Sequence, residues 1–536
     1  MGRGRDVGDE TGNRVSAGGR AEGEPGIAAA SERFIGSKRN RWLILTFVGI
    51  GPFMGALDTF VVNVAIPSLR TDLGASPSEA ELVVTSYALT YAVLLITGGR
   101  LGDLFGRVRV YLIGMAVFTV ASALCAVAPN PAFLIGARVV QAAGAAVMVP
   151  QAYAVVQRIF NPLERVRAIS YLSVSSSGAV IFGQVIGGLL IQANVAGLEW
   201  RSVFAVNIPI GVIGVIGGLI ILPRVRPERT AGLDLPGVAL LTLALLLLIV
   251  PLVEGSELGW PPWVIVLLAL SPIAFLGFAK HQMLRAAQGR FPLIDPSLFR
   301  QRSFSVGLPI VLFTQIGLNG MFFVFAIYLQ SGRHLSPGSA GLAFASIGIG
   351  YSSTALFSPR LAIRFGRGII AIGFLVVGAG GLAAILTLQA IGSTGSPFYL
   401  MPAVALMGAG QGFINSPLFA TVLSQVRRGH EGSASGTLTT AVQVGSAVGV
   451  AITGLIFFSV LGGAALVGRG SAVAYTHAFA ASLIVVVVVN FLFTPFVRLL
   501  PPRQPSSPAG DPVTDDVATG VSDAMRAPTP AVAGEG

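Results

Sequence analysis

The chain has 536 residues, of which 53% are hydrophobic and only 11% are charged, and its mean hydropathy is +0.77. Soluble domains carry about 25% charged residues, so this composition excludes ordinary soluble enzymes, nucleic-acid-binding modules and disordered scaffolds. The formal net charge of +11 is spread over short loops, which indicates membrane topology and no nucleic-acid partner. The single cysteine, Cys125, and four scattered histidines exclude an internal disulfide and a multi-cysteine metal site, and we expect no cofactor.

Apolar runs long enough to cross a bilayer, roughly 20 residues each, occur throughout the chain. Fourteen such runs predict an all-α membrane protein. They lie near 42–62, 80–99, 110–129, 132–156, 169–192, 203–222, 235–253, 262–279, 305–329, 339–359, 369–391, 398–424, 435–460 and 474–497. The fifth run is the weakest, because several serines dilute its apolar character.

The basic residues in the loops predict the orientation of these runs, because cytoplasmic loops carry an excess of Lys and Arg. With the N-terminus inside, the inner loops hold nineteen basic residues and the outer loops hold four. The outer four are Arg70, Arg201, Arg333 and Arg469. Only two basic residues, Lys38 and Lys280, are lysine, which with abundant Ala, Gly and Val suggests a GC-rich bacterial genome. We therefore expect a multi-pass protein of the bacterial plasma membrane with both termini in the cytoplasm.

Two inner loops are internal copies of each other. Arg100, Leu101, Phe105, Gly106 and Arg107 match Arg360, Leu361, Phe365, Gly366 and Arg367 at a constant offset. An even number of runs separates the copies, so the repeat is parallel, as in transporters whose halves are related by an axis along the membrane normal. Such transporters bind substrate near the midplane, between the two halves.

The repeat predicts two six-helix bundles joined by two inserted helices. The N-terminal bundle covers residues 42–222, and the C-terminal bundle covers 305–497. The two inserted helices and a cytoplasmic linker occupy 223–304. The polar ends, 1–41 and 498–536, lack apolar periodicity and are expected to be disordered cytoplasmic tails.

Two charged side chains stand well inside the predicted spans. Asp58 in the first span is the only deep acid, and Arg138 in the fourth is the only deep base, with Gln141 on the same helix face. Ionisable groups inside a membrane are costly and are usually functional, so Asp58 is a candidate for proton coupling. The alternatives are a helix-capping or structural role for Asp58, and for Arg138 a static bond to carbonyls or to a carboxylate.

Candidate substrate contacts come from polar or aromatic pairs four residues apart, which share a helix face. They are Tyr87 and Tyr91, Gln315 and Asn319, and Gln411 and Asn415. Aromatic rings with sparse amides suit amphipathic ligands. Hydrogen bonds between helices and contact with lipid are the alternative for each pair.

Several segments together resemble one transporter family. They are Gly99–Arg109 after the second span, Leu57–Pro67 in the first, Arg138–Gly144 in the fourth, Gly183–Gly188 in the fifth, Trp200–Gly211 in the sixth and Pro292–Phe299 before the ninth. Their order and register are similar to the major facilitator superfamily, and specifically to its fourteen-span drug:proton antiporter branch. The resemblance covers about residues 42–497.

The resemblance implies roles for three groups of residues. Arg138 would tune the proton site at Asp58. Gly99, Asp103, Gly106 and Arg107 would form a conformational latch, in which Asp103 pairs with arginines when the inner side is closed; the second copy has Ile363 in place of that acid. Gly183, Gly187 and Gly188 have the small-residue spacing of tight helix packing, although Gln184 replaces the proline of the family motif.

These observations favour a proton-coupled antiporter that exports amphipathic drugs, dyes or antibiotics by alternating access, with protons, a small organic substrate and membrane lipid as its partners. One alternative is a dedicated exporter of a single endogenous metabolite, such as a self-made antibiotic, a siderophore or a sugar. Another is a non-transporting membrane receptor or channel. An enzyme is not expected, because the sequence shows no nucleophile–base pair, metal site or ATP-binding motif.

Overall fold

A computed structural model of the chain describes residues 38–223, 232–426, 431–462 and 472–501. Most of the two predicted tails therefore lies outside the described residues. The described part contains fourteen long helices, numbered here in chain order. They are α1 Lys38–Leu73, α2 Pro77–Phe105, α3 Arg107–Ala126, α4 Pro131–Ile159, α5 Pro162–Ala193, α6 Asn207–Ile221, α7 Leu235–Glu254, α8 Pro262–Ala287, α9 Arg302–Ile327, α10 Pro337–Ala355, α11 Gly368–Ile391, α12 Met401–Leu423, α13 Glu431–Leu461 and α14 Ala472–Phe493.

A helix lies at each of the fourteen predicted positions, but not all of them qualify as full spans. In the described ranges, twelve are long and apolar enough to cross a membrane. A thirteenth forms if α10 is counted with the short helix Ser358–Phe365, from which it is bent by 49°. In α5 the described apolar segment is Phe182–Ala193, which is shorter than a full span. Within the described residues, length and apolarity therefore support twelve or thirteen of the fourteen predicted spans.

Side-chain caps fix where several helices begin. Ser76 and Glu79 form a reciprocal capping box at the start of α2. Asn130 accepts a hydrogen bond from the amide of Phe133 at the start of α4, at 2.9 Å. These bonds satisfy amide groups that have no partner within the helix. Each cap therefore sets the register of a helix that contributes to the site described below.

The helices of the two halves pair in the same way. In the first half α1 packs on α5, α2 on α4, and α3 on α4. In the second half α9 packs on α13, α10 on α12, and α11 on α12. The halves meet along α5 and α10 and along α2 and α13, which are again equivalent pairs. This is the arrangement that a parallel repeat requires.

The inserted helices α7 and α8 pack on each other, and α7 also contacts α2 and α13. Both ends of this hairpin are held at the ends of α2. At one end, Glu257 accepts hydrogen bonds from the amide and hydroxyl of Ser78, at 2.9 and 2.8 Å. At the other end, Arg100 donates to the carbonyls of Gly232 and Pro292, at the two ends of the hairpin. The hairpin therefore runs the full length of α2.

This placement leads to a topology prediction. A reporter fused after Gly255 should report the outside, and one fused after Gly289 should report the cytoplasm, because α7 and α8 span as far as α2 does. Alkaline phosphatase and fluorescent-protein fusions measure the two sides independently. A cytoplasmic signal at Gly255 would contradict both the inserted hairpin and the predicted orientation.

Candidate functional site

A buried ion pair joins the two charged residues that sequence analysis singled out. Arg138 on α4 donates to the carboxylate of Asp58 on α1, and both side chains are at most 1% exposed. Gln141 donates to the same carboxylate at 2.8 Å, and Asn207 at the start of α6 donates at 3.1 Å. Two helices, α4 and α6, therefore place polar groups on one carboxylate of α1. Sequence analysis assigned no role to Asn207, although the residue lies in the family-like segment Trp200–Gly211.

The guanidinium of Arg138 has further partners that fix its position. Its Nε donates to the backbone carbonyl of Val83 on α2, at 3.2 Å, and Nη1 donates to Gln141, at 2.7 Å. It also lies 4.2 Å from the ring centre of Tyr87, within the range of a cation–π interaction. Arg138 is therefore connected to α1, α2 and α4 at once, and a change in the charge of Asp58 acts on all three helices.

The energetics of such a pair depend on both partners being present. Removing two charges from water is expensive, and their attraction offsets this cost only when further hydrogen bonds satisfy the remaining atoms. Here the amides of Gln141 and Asn207 supply those bonds to the carboxylate. Loss of one charge leaves the other buried and uncompensated. A proton arriving at Asp58 would have this effect on Arg138, so the pair can link protonation to helix positions.

A cavity of about 200 Å³ lies between the two halves of the protein. It is lined from the first half by Pro52, Gly55, Ala56, Thr59, Phe60, Tyr91, Val149, Tyr153 and Ser176, and from the second half by Gln315, Asn319, Val442, Gln443 and Ser446. The described lining is aromatic, aliphatic and amide-bearing, without an ionisable acid or base other than tyrosine. Pockets for drug-sized ligands usually measure roughly 300–1,000 Å³, so a ligand of that size would require the halves to move apart.

Tyr91 and Tyr87 connect this cavity to the ion pair. Their rings stack with centres 6.2 Å apart and planes 16° from parallel. Tyr91 lines the cavity, while Tyr87 lies behind it over the guanidinium of Arg138. A ligand that displaces Tyr91 therefore acts on the ion pair through one intervening ring.

The six predicted substrate contacts do not all reach the cavity. Tyr91, Gln315 and Asn319 line it, and Tyr87 lies directly behind. Gln411 and Asn415 on α12 are not among the lining residues. Asn415 instead interacts with Tyr351 on α10, and Gln411 is buried on α12, a helix that packs against α10 and α11. The two residues share a face of α12, as predicted, but that face is turned towards neighbouring helices.

On the predicted outer side of the cavity the two halves are in contact. Phe60 and Phe322 meet edge to face with ring centres 5.8 Å apart. Gln330, just after α9, donates to the carbonyl of Val64 on α1, at 2.9 Å. The outer ends of the halves are therefore closed in this structure.

The loop predicted to act as a latch lies where α2 meets α3. Asp103 and Arg107 form an ion pair at 2.9 Å and are both partly exposed. Gly106 has φ +94°, a backbone conformation that residues with a side chain rarely adopt, and it separates the two helices. A Cβ on Gly99 would meet Pro150 of α4 at ordinary contact distance. In the second copy Ile363 is 76% exposed, so this loop lacks the acid and its contacts.

The latch residues lead to a second prediction. Asp103→Asn should slow transport while leaving substrate binding nearly intact, because it changes the stability of one conformation and lies away from the cavity. The measurement pairs a transport rate with binding of a fluorescent substrate to purified protein. Asp103→Glu keeps the charge and should restore the rate in part. Equal losses of binding and transport in Asp103→Asn would place the residue in the substrate site instead.

The three glycines of α5 allow close approach to helices of both halves. Gly183 and Gly187 lie against Leu57 and Val61 of α1, and a Cβ on Gly187 would overlap the side chain of Val61. Gly188 faces the backbone carbonyl of Pro337 at the start of α10, where a Cβ would also overlap. Gln184 is buried beside them, and neither of its side-chain polar atoms has a hydrogen-bond partner among the described residues.

Sequence analysis missed a polar cluster at the inner ends of the inserted helices. Asp234 caps the start of α7 and is bonded by His281 and Gln282 of α8 and by the amides of Gly237 and Leu293. Burial raises the pKa of Asp234, but these hydrogen bonds outweigh burial and hold the pKa below its ordinary value. The ionised side chain therefore ties the linker after α8 to the start of α7.

The structure buries a second acid, which sequence analysis did not single out. Glu81 on α2 is 2% exposed. It stands at the start of the predicted second span, where an acid is expected to reach the headgroup region, so hydropathy did not distinguish it. Contacts with α7 and α13 remove it from solvent.

The family model of the Major Facilitator Superfamily matches residues 48–285 and 307–532. The chain belongs to the major facilitator superfamily. It is therefore a multi-pass membrane transporter.

Several curated major facilitator proteins are similar over most of their length. The chain is 37% identical over 425 residues to a probable actinorhodin transporter of Streptomyces coelicolor, covering 79% of this chain and 73% of that protein. It is 34% identical to the puromycin resistance protein pur8 of Streptomyces alboniger, covering 78% and 82%. It is 32% identical to the methylenomycin A resistance protein of Bacillus subtilis, covering 77% and 87%.

Solved structures show the same fold at lower identity. An auto-inhibited peptide transporter of the POT family superimposes with a TM-score of 0.62 and 17% identity, covering 87% of this chain and 99% of that one. A bacterial homologue of the lysosomal transporter Spinster, solved inward-facing and unoccupied, gives a TM-score of 0.60 and 17% identity, covering 87% and 98%. These likenesses establish the transporter fold of the chain.

Proposed function

We propose that this transporter is a proton-coupled antiporter that exports amphipathic drugs, dyes or antibiotics across the bacterial plasma membrane by alternating access. The observation that carries the proposal is the buried pair of Asp58 and Arg138, which stands one aromatic layer behind the cavity between the halves. Two further supports are the antibiotic transport and resistance proteins among its relatives.

The ion pair supplies a route from protonation to movement. In the closed arrangement the carboxylate of Asp58 is balanced by Arg138 and bonded by Gln141 and Asn207. A proton taken up by Asp58 neutralises this carboxylate and weakens its attraction for Arg138. Arg138 is then held by the carbonyl of Val83, by Gln141 and by the rings of Tyr87 and Phe204. The relative positions of α1, α2 and α4 are therefore set by the charge on Asp58.

The cavity lining supports an amphipathic, organic substrate. Phe60, Tyr91 and Tyr153 offer ring faces and apolar contact, and Gln315 and Asn319 offer hydrogen bonds. A lining without carboxylates does not require a cationic substrate, and ring faces still attract one. Displacement of Tyr91 by the substrate would disturb Tyr87 and hence the ion pair. Substrate binding and protonation then compete for the same helices, as antiport requires.

A second candidate is the export of one compound only. The relatives described above are each named for a single antibiotic: actinorhodin, puromycin or methylenomycin A. The small cavity volume of about 200 Å³ also favours a ligand of defined shape. In this case the mechanism at Asp58 is unchanged and only the range of substrates is narrower.

A susceptibility panel separates these candidates. A host that lacks its own pumps is made to express the chain and is challenged with drugs, dyes and antibiotics of differing charge, with and without an uncoupler. Resistance to several unrelated compounds that the uncoupler removes supports the broad exporter. Resistance to one compound supports the dedicated exporter. Resistance that persists after the proton gradient is collapsed would contradict proton coupling for both.

A further inference from the structure

Glu81 lies where the two halves meet and has an incomplete set of partners. It stands near the start of α2, is 2% exposed, and its Oε2 has no hydrogen-bond partner among the described residues. Across the interface it faces Gly454 of α13, where a Cβ would overlap the carboxyl group. The glycine therefore makes the space that Glu81 occupies, and the carboxyl group is enclosed only while α2 and α13 are in contact.

The acidic neighbours of Glu81 disfavour a second negative charge there. Glu254 at the end of α7 and Glu257 in the following turn both lie close enough to repel a negative charge on Glu81. Glu257 is already bonded to the amide and hydroxyl of Ser78, at 2.9 and 2.8 Å. Glu79 on α2 is likewise engaged in the capping box with Ser76. Glu257 and Glu79 thus have other partners, and Glu254 and Glu257 place negative charge near the Glu81 side chain.

The basic and phenolic neighbours do not supply a counter-ion in contact with Glu81. Arg70 near the end of α1 attracts it over a distance, but the guanidinium donates to the carbonyl of Ala75 and lies 5.6 Å from the ring centre of Phe458. In the described part of the chain no ion pair joins Arg70 to Glu81. Tyr475 of α14 interacts with Arg70 in the same region. On α13 the group that faces Glu81 is a glycine.

A carboxylate enclosed in this way is costly, because it loses water and gains neither an ion pair nor a full set of hydrogen bonds. The carboxylic acid avoids most of this cost. When α2 and α13 separate at their outer ends, water reaches Glu81 and the carboxylate can form. The proton comes from, and returns to, water on the outer side, and no other bond is made or broken.

We propose that Glu81 is a second proton-binding site, filled from the outer side, and that its protonation is required for α2 and α13 to close. It is distinct from Asp58, which lies deeper and has Arg138 as its partner. The inference rests on the proposed function only in requiring that the outer ends open and close. External acid would then favour the closed outer side, which is the conformation that an antiporter reaches after taking up protons.

The test measures the distance between the outer ends directly and needs no substrate. Thr71→Cys at the end of α1 and Ser459→Cys at the end of α13 place two spin labels on exposed positions. The native Cys125 is completely buried, so we expect it to remain unlabelled. The two variants that carry only one added cysteine measure any background signal from it. Electron–electron double resonance is recorded on the full chain in lipid nanodiscs from about pH 9 to about pH 5, a range that extends from far above towards the ordinary titration of a glutamate.

In the otherwise native chain we expect the fraction of short distances to rise as the pH falls. In Glu81→Gln the fraction of short distances at about pH 9 should already equal the fraction that the protein with Glu81 reaches only at about pH 5, because the amide is uncharged at both pH values. Glu79→Gln is the matched control, since it makes the same chemical change two residues away and glutamine preserves a capping box. Its pH response should equal that of the native chain.

Two results would overturn the proposal. One is a Glu81→Gln protein whose distances respond to pH as the native protein does, and the other is a native protein whose distances do not respond. Glu81→Met carries no polar group and repeats the experiment if the buried amide of Gln impairs folding. If no compound is exported in the susceptibility panel but Glu81→Gln abolishes the distance response, the proposed function fails and this inference stands.

Discussion

Asp58→Asn should abolish export driven by a proton gradient while leaving the protein folded. The amide cannot exchange a proton in the physiological range, so the helices joined by Arg138 no longer respond to the gradient. The protein should still fold, at reduced stability, because Arg138 loses its counter-charge but keeps its bonds to Val83 and Gln141 and its contact with the ring of Tyr87. The measurement is uptake of a fluorescent substrate into inverted vesicles under an imposed pH gradient.

Asp72→Asn provides the control for Asp58→Asn. Asp72 pairs with Arg201 at 2.5 Å near the outer surface, where both side chains are partly exposed. The same chemical change there should leave uptake close to that of the unmodified protein. Substrate accumulation at the native rate in Asp58→Asn would mean that the protons move through another group.

Arg138→Met should be the most destabilising single substitution at the site. It leaves the Asp58 carboxylate buried with only the two amides of Gln141 and Asn207, and breaking a buried pair in this way costs about 3–5 kcal/mol. Thermal unfolding of the purified protein in detergent should show a much lower midpoint. The double variant Asp58→Asn with Arg138→Met should recover a large part of that loss, because no uncompensated charge remains.

The exposed ion pair of Asp72 and Arg201 is the control for this loss of stability. Exposed ion pairs contribute about 0–1 kcal/mol, so Arg201→Met should lower the unfolding midpoint far less than Arg138→Met. If the double variant at Asp58 and Arg138 is less stable than Arg138→Met alone, the unpaired charge is not the cause. Export should be lost in every variant at Asp58 or Arg138.

Much of the fold follows from the sequence, because hydropathy and loop charge act on long segments. A helix lies at each predicted position, with bounds mostly close to those expected from hydropathy. Asp58 and Arg138 could be identified from the cost of charge in a membrane. Their contact could not, because which helices are neighbours depends on packing between segments that are far apart in sequence.

The same limit applies to the side chains of the site. Two residues four apart share a helix face, but the spacing does not tell what that face meets. Gln315 and Asn319 face the cavity, whereas Gln411 and Asn415 face a neighbouring helix. Glu81 stood near a span end, where acids usually reach water, and only the approach of Gly454 from the other half encloses it.

The two equivalent contacts between the halves are built from different chemistry. Between α5 and α10 the contact consists of glycines against backbone, with Gly188 facing the carbonyl of Pro337 and Gly341 facing that of Gln184. Its stability depends on shape, and so on temperature and on the lateral pressure of the surrounding lipid. Between α2 and α13 a carboxyl group faces a glycine. If Glu81 takes up a proton as proposed, the pH outside the cell changes the stability of the contact between α2 and α13 and leaves the contact between α5 and α10 unchanged. Two contacts that the repeat makes equivalent in position would then respond to different conditions.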